Sequence, residues 1–301
     1  MKKISVVINT KNAALTLENC LQSVQFADEI VVVDMHSTDR TKEIAKKYAN
    51  QVLDHEDIGY ADPARDWSIN QASHDWILVI DADEEVSSVL QTKIKQLIEQ
   101  DSPADVYYFP RQNMIFGEWI KAAGWWPDHQ PRLFRKGFVS WKVGVHRMPD
   151  VKGQVVRLPA TKDNSLTHHN YLTVEDFVDR MNRYTSLQAK ERQAPENRFN
   201  SGELVKRTVR EFLDRGFAKS GYQLGLHGIS LALLQGFYEA SIYLKQWQLA
   251  GFPSEPLTGG ELVKALTQLK KELNYWVADY QVRQTSGIKQ FYWRVRRKLK
   301  S

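Results

Sequence analysis

Residues Trp76 to Ile80 are five consecutive apolar side chains, and they run straight into Asp81-Ala82-Asp83-Glu84-Glu85, four carboxylates within five positions. A strand that is apolar on both faces must be covered on both, so this segment predicts a mainly parallel sheet between layers of helices. Carboxylates crowded at the strand's end would repel one another unless a cation sat among them. Hard oxygen ligands in this number suit Mg²⁺ or Mn²⁺, ions that complete their shells with substrate phosphates. A strand followed by a helix with an acidic first turn accounts for the same residues, because Asp and Glu favour helix N-termini.

The first hundred residues repeat this strand-then-helix pattern. Ile4 to Asn9 reads as a strand, and Leu17, Cys20, Leu21 and Val24 are spaced for one face of a helix over 14–24. Ile30 to Asp34 is a second strand, and Ser37-Thr38-Asp39 can cap a helix over Thr41 to Tyr48. A short strand near Val52, a helix over 64–73, the strand at Trp76 and a helix from Ser87-Ser88 to Glu99 complete the series. In such sheets ligands bind outside the carboxyl ends of the strands. Thr10 and Asn12 follow the first strand, Asp34 ends the second, and Asp81 and Asp83 end the fourth, so all should border one crevice. No G-x-G-x-x-G follows the first strand and no G-x-x-x-x-G-K-[ST] occurs, which removes support for dinucleotide and P-loop chemistry.

Beyond residue 103 the alternation gives way to aromatic sequence punctuated by Gly and Pro, with Tyr107 to Phe109 and Arg132 to Phe134 as expected antiparallel strands. Residues 173–193 and 202–250 read as helical. Gly228 to Leu244 is strongly apolar, but Glu239 interrupts it and Lys245 ends it, short of the ~20 apolar residues of a membrane span. A buried or interfacial helix is expected there. Pro253, Pro256 and Gly259-Gly260 mark a linker before an amphipathic helix over Leu262 to Arg283. The expected organisation is therefore a catalytic domain over 1–172, a helical region over 173–252, and a linker, amphipathic helix and basic tail over 253–301.

Charge is concentrated in that tail. Residues 289–300 carry six cations and no acid, which leaves 35 basic against 36 acidic residues elsewhere. Cations interleaved with Phe291, Tyr292 and Trp293 suit an anionic membrane surface; a solvated helix end and nucleic acid are the alternatives, and nucleic acid is the weakest. The single Cys20 excludes an intrachain disulfide and fits a reducing compartment, and Ile4 to Ile8 is too short for a signal-peptide core, so no secretion is expected.

With these motifs in place the chain resembles the family 2 glycosyltransferases of GT-A fold, in the branch that includes bacterial lipopolysaccharide core glucosyltransferases. The resemblance covers about residues 3–250. Its carriers are Ser5 to Asn12, Val31 to Asp34 leading to Ser37-Thr38-Asp39-Arg40-Thr41, the Asp81-Ala82-Asp83-Glu84 block, and Gly124-Trp125-Trp126-Pro127-Asp128 followed by Arg132-Leu133-Phe134. It implies a Rossmann-like, mainly parallel α/β sheet with flanking helices and a helical C-terminal region. It also implies a uridine diphosphate sugar donor, with Mg²⁺ or Mn²⁺ on its diphosphate. On that resemblance Asp34 accepts a hydrogen bond from uracil, Thr10, Lys11 and Asn12 line the base and ribose, and Arg65 faces the diphosphate. Asp83 is the main metal ligand, with Asp81 near the ribose and metal-bound water. Lys11 and Met35-His36 depart from the common pattern.

Breaking a glycosyl-phosphate bond leaves negative charge on the diphosphate, and inversion needs one carboxylate to take the acceptor's proton from the opposite face. Asp128 is the candidate base, following rings of Trp125 and Trp126 suited to stacking on a sugar; a turn cap after Pro127 is the competing explanation. Trp125, Trp126, Glu84 and Arg132 are assigned to the acceptor side. His146, His168 and His169 occupy family-like positions from which they could approach the metal or diphosphate, and Glu85 is expected to cap a helix. The leading expectation is an inverting glycosyltransferase acting on a lipid-linked or lipopolysaccharide-core acceptor. It would be cytoplasmic and peripheral on the inner face of the cytoplasmic membrane, held through 228–244 and 285–301. A nucleotidyltransferase acting on a sugar phosphate and a non-catalytic carbohydrate- or membrane-binding module are the alternatives.

Overall fold

A computed structural model describes residues 2–57, 62–101, 103–141, 148–192, 199–254 and 260–299. His146 lies outside the described residues, as do Pro256 and Gly259 of the expected linker. The chain divides into two units, one of Met1–Lys121 with Trp125–Leu172, the other of Ala122–Gly124 with Thr173–Ser301.

The first unit begins β1 (Ile4–Thr10), α1 (Leu17–Ser23), β2 (Glu29–Asp34), α2 (Thr41–Tyr48), β3 (Gln51–Asp54), α3 (Asp62–Gln71), β4 (Trp76–Asp81), β5 (Glu84–Glu85) and α4 (Ser88–Glu99). It continues through the short strands β6 (Val106–Phe109), β7 (Arg111–Ile115), β8 (Glu118–Trp119), β9 (Gln130–Arg135), β10 (Val139–Ser140), β11 (Asp150–Val151), β12 (Val155–Arg157) and β13 (Leu166–Tyr171). The main sheet has the order β12-β6-β9-β4-β1-β2-β3. Strands β3, β2, β1 and β4 are mutually parallel, and β9 runs antiparallel between β4 and β6.

The alternating side chains of β1 and β4 explain why both strands are apolar throughout. Val6, Ile8, Leu78 and Ile80 face a core shared with Leu17 and Leu21 of α1, Ile44 of α2 and Leu90, Ile94 and Leu97 of α4. Val7, Ile77 and Val79 face a second core shared with Ile69 of α3, Tyr108 and Phe134. Each fully buried Leu, Ile or Val contributes about 2 kcal/mol of transfer free energy, so both helical layers are held by the same strands.

The acidic first turn considered for residues 84 and 85 does not form. Glu84 and Glu85 make β5, which pairs antiparallel with β13, and α4 starts later with no acid in its first turn. Its cap is Ser87, whose Oγ accepts from the backbone N–H of Leu90 at 3.3 Å. Glu85 is thus a strand residue and not a helix cap.

The second unit contains α5 (Val174–Glu191), α6 (Ser201–Leu213), α7 (Gly225–Leu249), α8 (Gly260–Gln284) and α9 (Gly287–Leu299). The single helical stretch expected over 202–250 is interrupted by a π turn at Asp214–Ala218 and a 3₁₀ turn at Gly221–Leu224. Ser220 at φ +59° and Gly225 at φ +56° reverse the backbone there, a geometry a continuous helix cannot include. Close approach demands small residues: a Cβ on Gly228 would lie 1.8 Å from the Gly221 carbonyl oxygen. Among the described residues no helix is long and apolar enough to cross a membrane.

Candidate functional site

Parallel register brings the strand-end polar residues together. Thr10 pairs with Asp34 and Asn9 with Asp81, so the ends of β1, β2 and β4 form one edge. Asp34 is 1% exposed. Its Oδ2 accepts from the Ser37 backbone N–H at 3.0 Å, while its Oδ1, like the Thr10 hydroxyl, is buried with no hydrogen-bond partner among the described residues. Buried polar atoms normally find partners, so these two mark a place where a ligand could complete the pairing.

Lys11 and Asn12 follow Thr10 in the loop after β1. Asn12 sits at φ +49°, and its side-chain oxygen accepts from the Thr38 N–H at 2.8 Å, tying the loop after β1 to the loop after β2. Lys11 pairs with Asp57.

The charge of the acidic block is met by guanidinium groups. Arg65 on α3 donates to Asp81 Oδ1 at 2.5 Å, and Arg132 on β9 donates to Asp81 Oδ2 and to Glu84 Oε1, the latter at 2.6 Å. Arg111 on β7 lies 3.6 Å from Asp81 Oδ2 and donates to Glu84 Oε1 at 3.3 Å. Burial acts to raise the Asp81 pKa, but Arg132, Arg65 and Arg111 outweigh it and hold the carboxyl well below the ordinary aspartate range. Glu84 is fully buried; besides the arginines it accepts from the Asp81 backbone N–H at 3.0 Å. The mutual repulsion expected of this run is therefore relieved by arginines from three other elements.

Asp83 has a different neighbourhood. Its Oδ1 lies 3.5 Å from His168 Nε2, and its backbone carbonyl accepts from the His169 N–H at 2.8 Å. Asn113 fixes the His168 ring. The Asn113 amide nitrogen donates to the Trp125 carbonyl at 2.8 Å, which turns its oxygen toward His168 Nδ1, 2.6 Å away. Nδ1 thus carries the proton in the neutral ring, and Nε2 presents a lone pair on the Asp83 side. A carboxylate and an imidazole nitrogen fit a divalent cation that takes its remaining ligands from phosphate and water. Among the described residues no three His, Cys, Asp or Glu side chains converge as a cage. His169 instead meets Glu85 Oε1 at 2.8 Å.

Asp128 lies beside this network. Its Oδ2 accepts from Arg111, through Nε at 2.9 Å and also through a terminal nitrogen, and from Asn113 at 3.3 Å; its Oδ1 accepts from Gln130 at 2.8 Å. Burial acts to raise its pKa, but the Arg111 charge and these hydrogen bonds leave it below the ordinary value. The competing turn-cap explanation accounts for none of these side-chain contacts. The nearby rings are half-buried: Trp126 packs edge-on against Trp119 at 5.0 Å and Trp125 against Tyr171 at 6.3 Å.

Sequence reasoning missed Arg111 and Asn113. They lie on a short strand whose pairing with β13, Asn113 opposite His168, is long-range and leaves no periodic mark in the sequence.

Residues 5–148 match the family described as Glycosyl transferase family 2. An uncharacterised glycosyltransferase of Rickettsia bellii (strain RML369-C) is similar at 30% identity, over 63% of this chain and 67% of its own. The lipopolysaccharide core biosynthesis glycosyltransferase LpsC of Rhizobium meliloti (strain 1021) is similar at 23% identity, over 84% of this chain and 95% of its own. The crystal structure of S. aureus TarS 1–349 aligns with 99% of this chain and 88% of its own at 15% identity, with a TM-score of 0.42. The chain, with its mainly parallel α/β sheet, is a glycosyltransferase and belongs to glycosyl transferase family 2.

Proposed function

We propose that this glycosyltransferase inverts the transferred sugar, requires a divalent metal, and uses a uridine diphosphate sugar as donor and a lipopolysaccharide-core or other cell-envelope glycan as acceptor. The observation that carries the donor assignment is the buried Asp34 Oδ1 beside the Thr10 hydroxyl, both without partners among the described residues. A carboxylate in that state suits an N–H donor of a pyrimidine ring, and the strand edge leads from it toward Arg65, Asp81 and Asp83. The relative named for lipopolysaccharide core biosynthesis supports the acceptor class.

Each residue then has a task. Lys11 and Asn12 border the base and ribose. Asp81 orients Arg65, whose charge faces the diphosphate. Asp83 and His168 hold Mg²⁺ or Mn²⁺, which when bound supplies Lewis-acid stabilisation of the leaving group. Glu84 and Arg132, both buried, keep Asp81 in place at the acceptor side of the block, and Trp125 and Trp126 offer ring faces to the acceptor. Asp128 takes the acceptor hydroxyl's proton, with Oδ2 held by Arg111 and Oδ1 turned to Gln130 and the acceptor. The reaction takes place at the inner face of the cytoplasmic membrane, a reading supported by exposed Leu233, Phe237 and Leu244 within 228–244 and by the basic segment 285–301.

The test is to incubate the purified protein with a panel of nucleotide sugars and Mn²⁺ or Mg²⁺. Metal-dependent release of uridine diphosphate is expected. Release of pyrophosphate, or uridine diphosphate binding unaffected by metal in calorimetry, would sink the assignment.

A further inference from the structure

Arg65, the cation assigned to the diphosphate, is only 7% exposed, and it reaches Asp81 from α3. A guanidinium recognises phosphate through a planar fork of N–H donors, so it must be held in plane as well as in place. Asp81 Oδ1, at 2.5 Å, fixes one terminal nitrogen. The plane has a second neighbour. The guanidinium carbon lies over the ring of Trp141, 5.6 Å from its centroid, within the range at which a ring face attracts a cation.

Trp141 is anchored without help from Arg65. Its backbone N–H donates to Asp66 Oδ1 at 2.9 Å, and the hydroxyl of Ser140 donates to Asp66 Oδ2 at 2.8 Å. The Trp141 ring packs 5.8 Å from that of Phe134, which is fully buried in the core that also holds Ile69 of α3. Asp66 adjoins Arg65, so the segment carrying the ring is fastened to the same helical turn that carries the cation. Asn9 of β1 steadies that turn by donating to Ser68 Oγ at 2.7 Å, and Ser68 Oγ donates to the Ala64 carbonyl at 2.7 Å.

We infer that Trp141 is a positioning residue for donor binding, holding the Arg65 guanidinium in the orientation in which it meets the diphosphate. This role rests on the donor assignment above and acts only through Arg65. A ring face suits the task better than another carboxylate would. A second carboxylate would neutralise Arg65 and compete with the diphosphate, whereas a ring orients the charge and leaves it available to an anion. The loss on removing the ring should therefore fall on the phosphate part of the donor and spare the nucleoside part.

Calorimetry on the full-length protein with Mn²⁺ separates this role from packing. Trp141→Leu should weaken uridine diphosphate binding about tenfold and leave uridine binding unchanged, since uridine has no phosphate for Arg65 to meet. Trp141→Tyr, which keeps a ring face, should restore most of the affinity. In an Arg65→Met background, Trp141→Leu should cost nothing further. Asp66→Ala removes the anchor and keeps the ring, so it should give a smaller loss with the same selectivity, and it carries the test if Trp141→Leu does not fold. Equal losses for uridine and uridine diphosphate, or losses from Trp141→Leu and Arg65→Met that simply add, would overturn the inference and leave Trp141 a packing residue. Unchanged uridine diphosphate binding by Trp141→Leu, beside a parent protein that binds it with metal, overturns the role and leaves the donor assignment intact. A parent protein that binds uridine diphosphate no better than uridine removes the donor assignment, and this role with it.

Discussion

Arg111 holds Asp128, with Nε donating to Oδ2 at 2.9 Å, and the same guanidinium donates to buried Glu84 at 3.3 Å. One side chain thereby couples the proposed base to the carboxylates at the end of β4. It also keeps that base ionised, since the charge of Arg111 opposes the upward pull of burial.

Asp128→Asn should lower kcat by about 10²–10⁴-fold with little change in donor KM, read from steady-state kinetics. Because the Asp128 pKa is depressed, its base form persists until the pH falls below the ordinary aspartate range. Arg111→Met removes the main opposing charge and leaves the burial, so the acidic limb of the kcat profile should move to higher pH. An unmoved limb in an Arg111→Met enzyme that Asp128→Asn inactivates would mean that Arg111 does not tune the base.

Asp83→Ala and His168→Ala should each reduce Mn²⁺ affinity in the presence of uridine diphosphate by an order of magnitude or more, measured by calorimetry. Asn113→Ala should produce a smaller loss, because it frees the His168 ring without removing a ligand. Full metal-dependent turnover in Asp83→Ala contradicts the metal assignment.

Glu84→Gln leaves Arg132 and Arg111 facing an uncharged partner inside the protein. Removing one member of a buried ion pair costs about 3–5 kcal/mol, so the denaturant midpoint should fall sharply. The pH dependence of stability has a definite sign as well. The depressed carboxyl of Asp81 stabilises the folded state above the ordinary aspartate value near ~4 and loses that contribution as pH falls through its own lower value. Thermal midpoints should therefore drop only in the acid range, below about pH 4.

Gly228→Ala should destabilise the helical unit by about 1–3 kcal/mol or more, since the new Cβ would meet the Gly221 carbonyl oxygen at 1.8 Å. Gly260→Ala, where no heavy atom lies within 4 Å of a built Cβ, serves as the control and should be tolerated. Chemical denaturation of the two variants makes the comparison.

Much of the first unit was legible because its signals are local. Five apolar residues at 76–80 announce a doubly covered strand, Ser87 announces a cap, and the polar residues after Ile8, Val33 and Ile80 announce a ligand edge. Two local signals misled. Glu84 and Glu85 imitate a helix start, and only pairing with Thr167 and His168 makes them a strand. Residues 214–224 keep helical composition, and only the reversal at Ser220 and Gly225 breaks the helix there.

The sequence by itself determined the α/β layering, the parallel register logic and the concentration of acid at the end of β4, because apolar periodicity and strand-end chemistry are written within a few residues of each other. The tertiary structure alone decided which cations answer that acid. Arg65, Arg111 and Arg132 are separated from Asp81 by 16, 30 and 51 positions, and they converge because α3, β7 and β9 are placed by long-range packing and strand pairing that no local pattern records. The same long-range pairing puts His168 beside Asp83, a neighbour that no local pattern at the end of β4 announces.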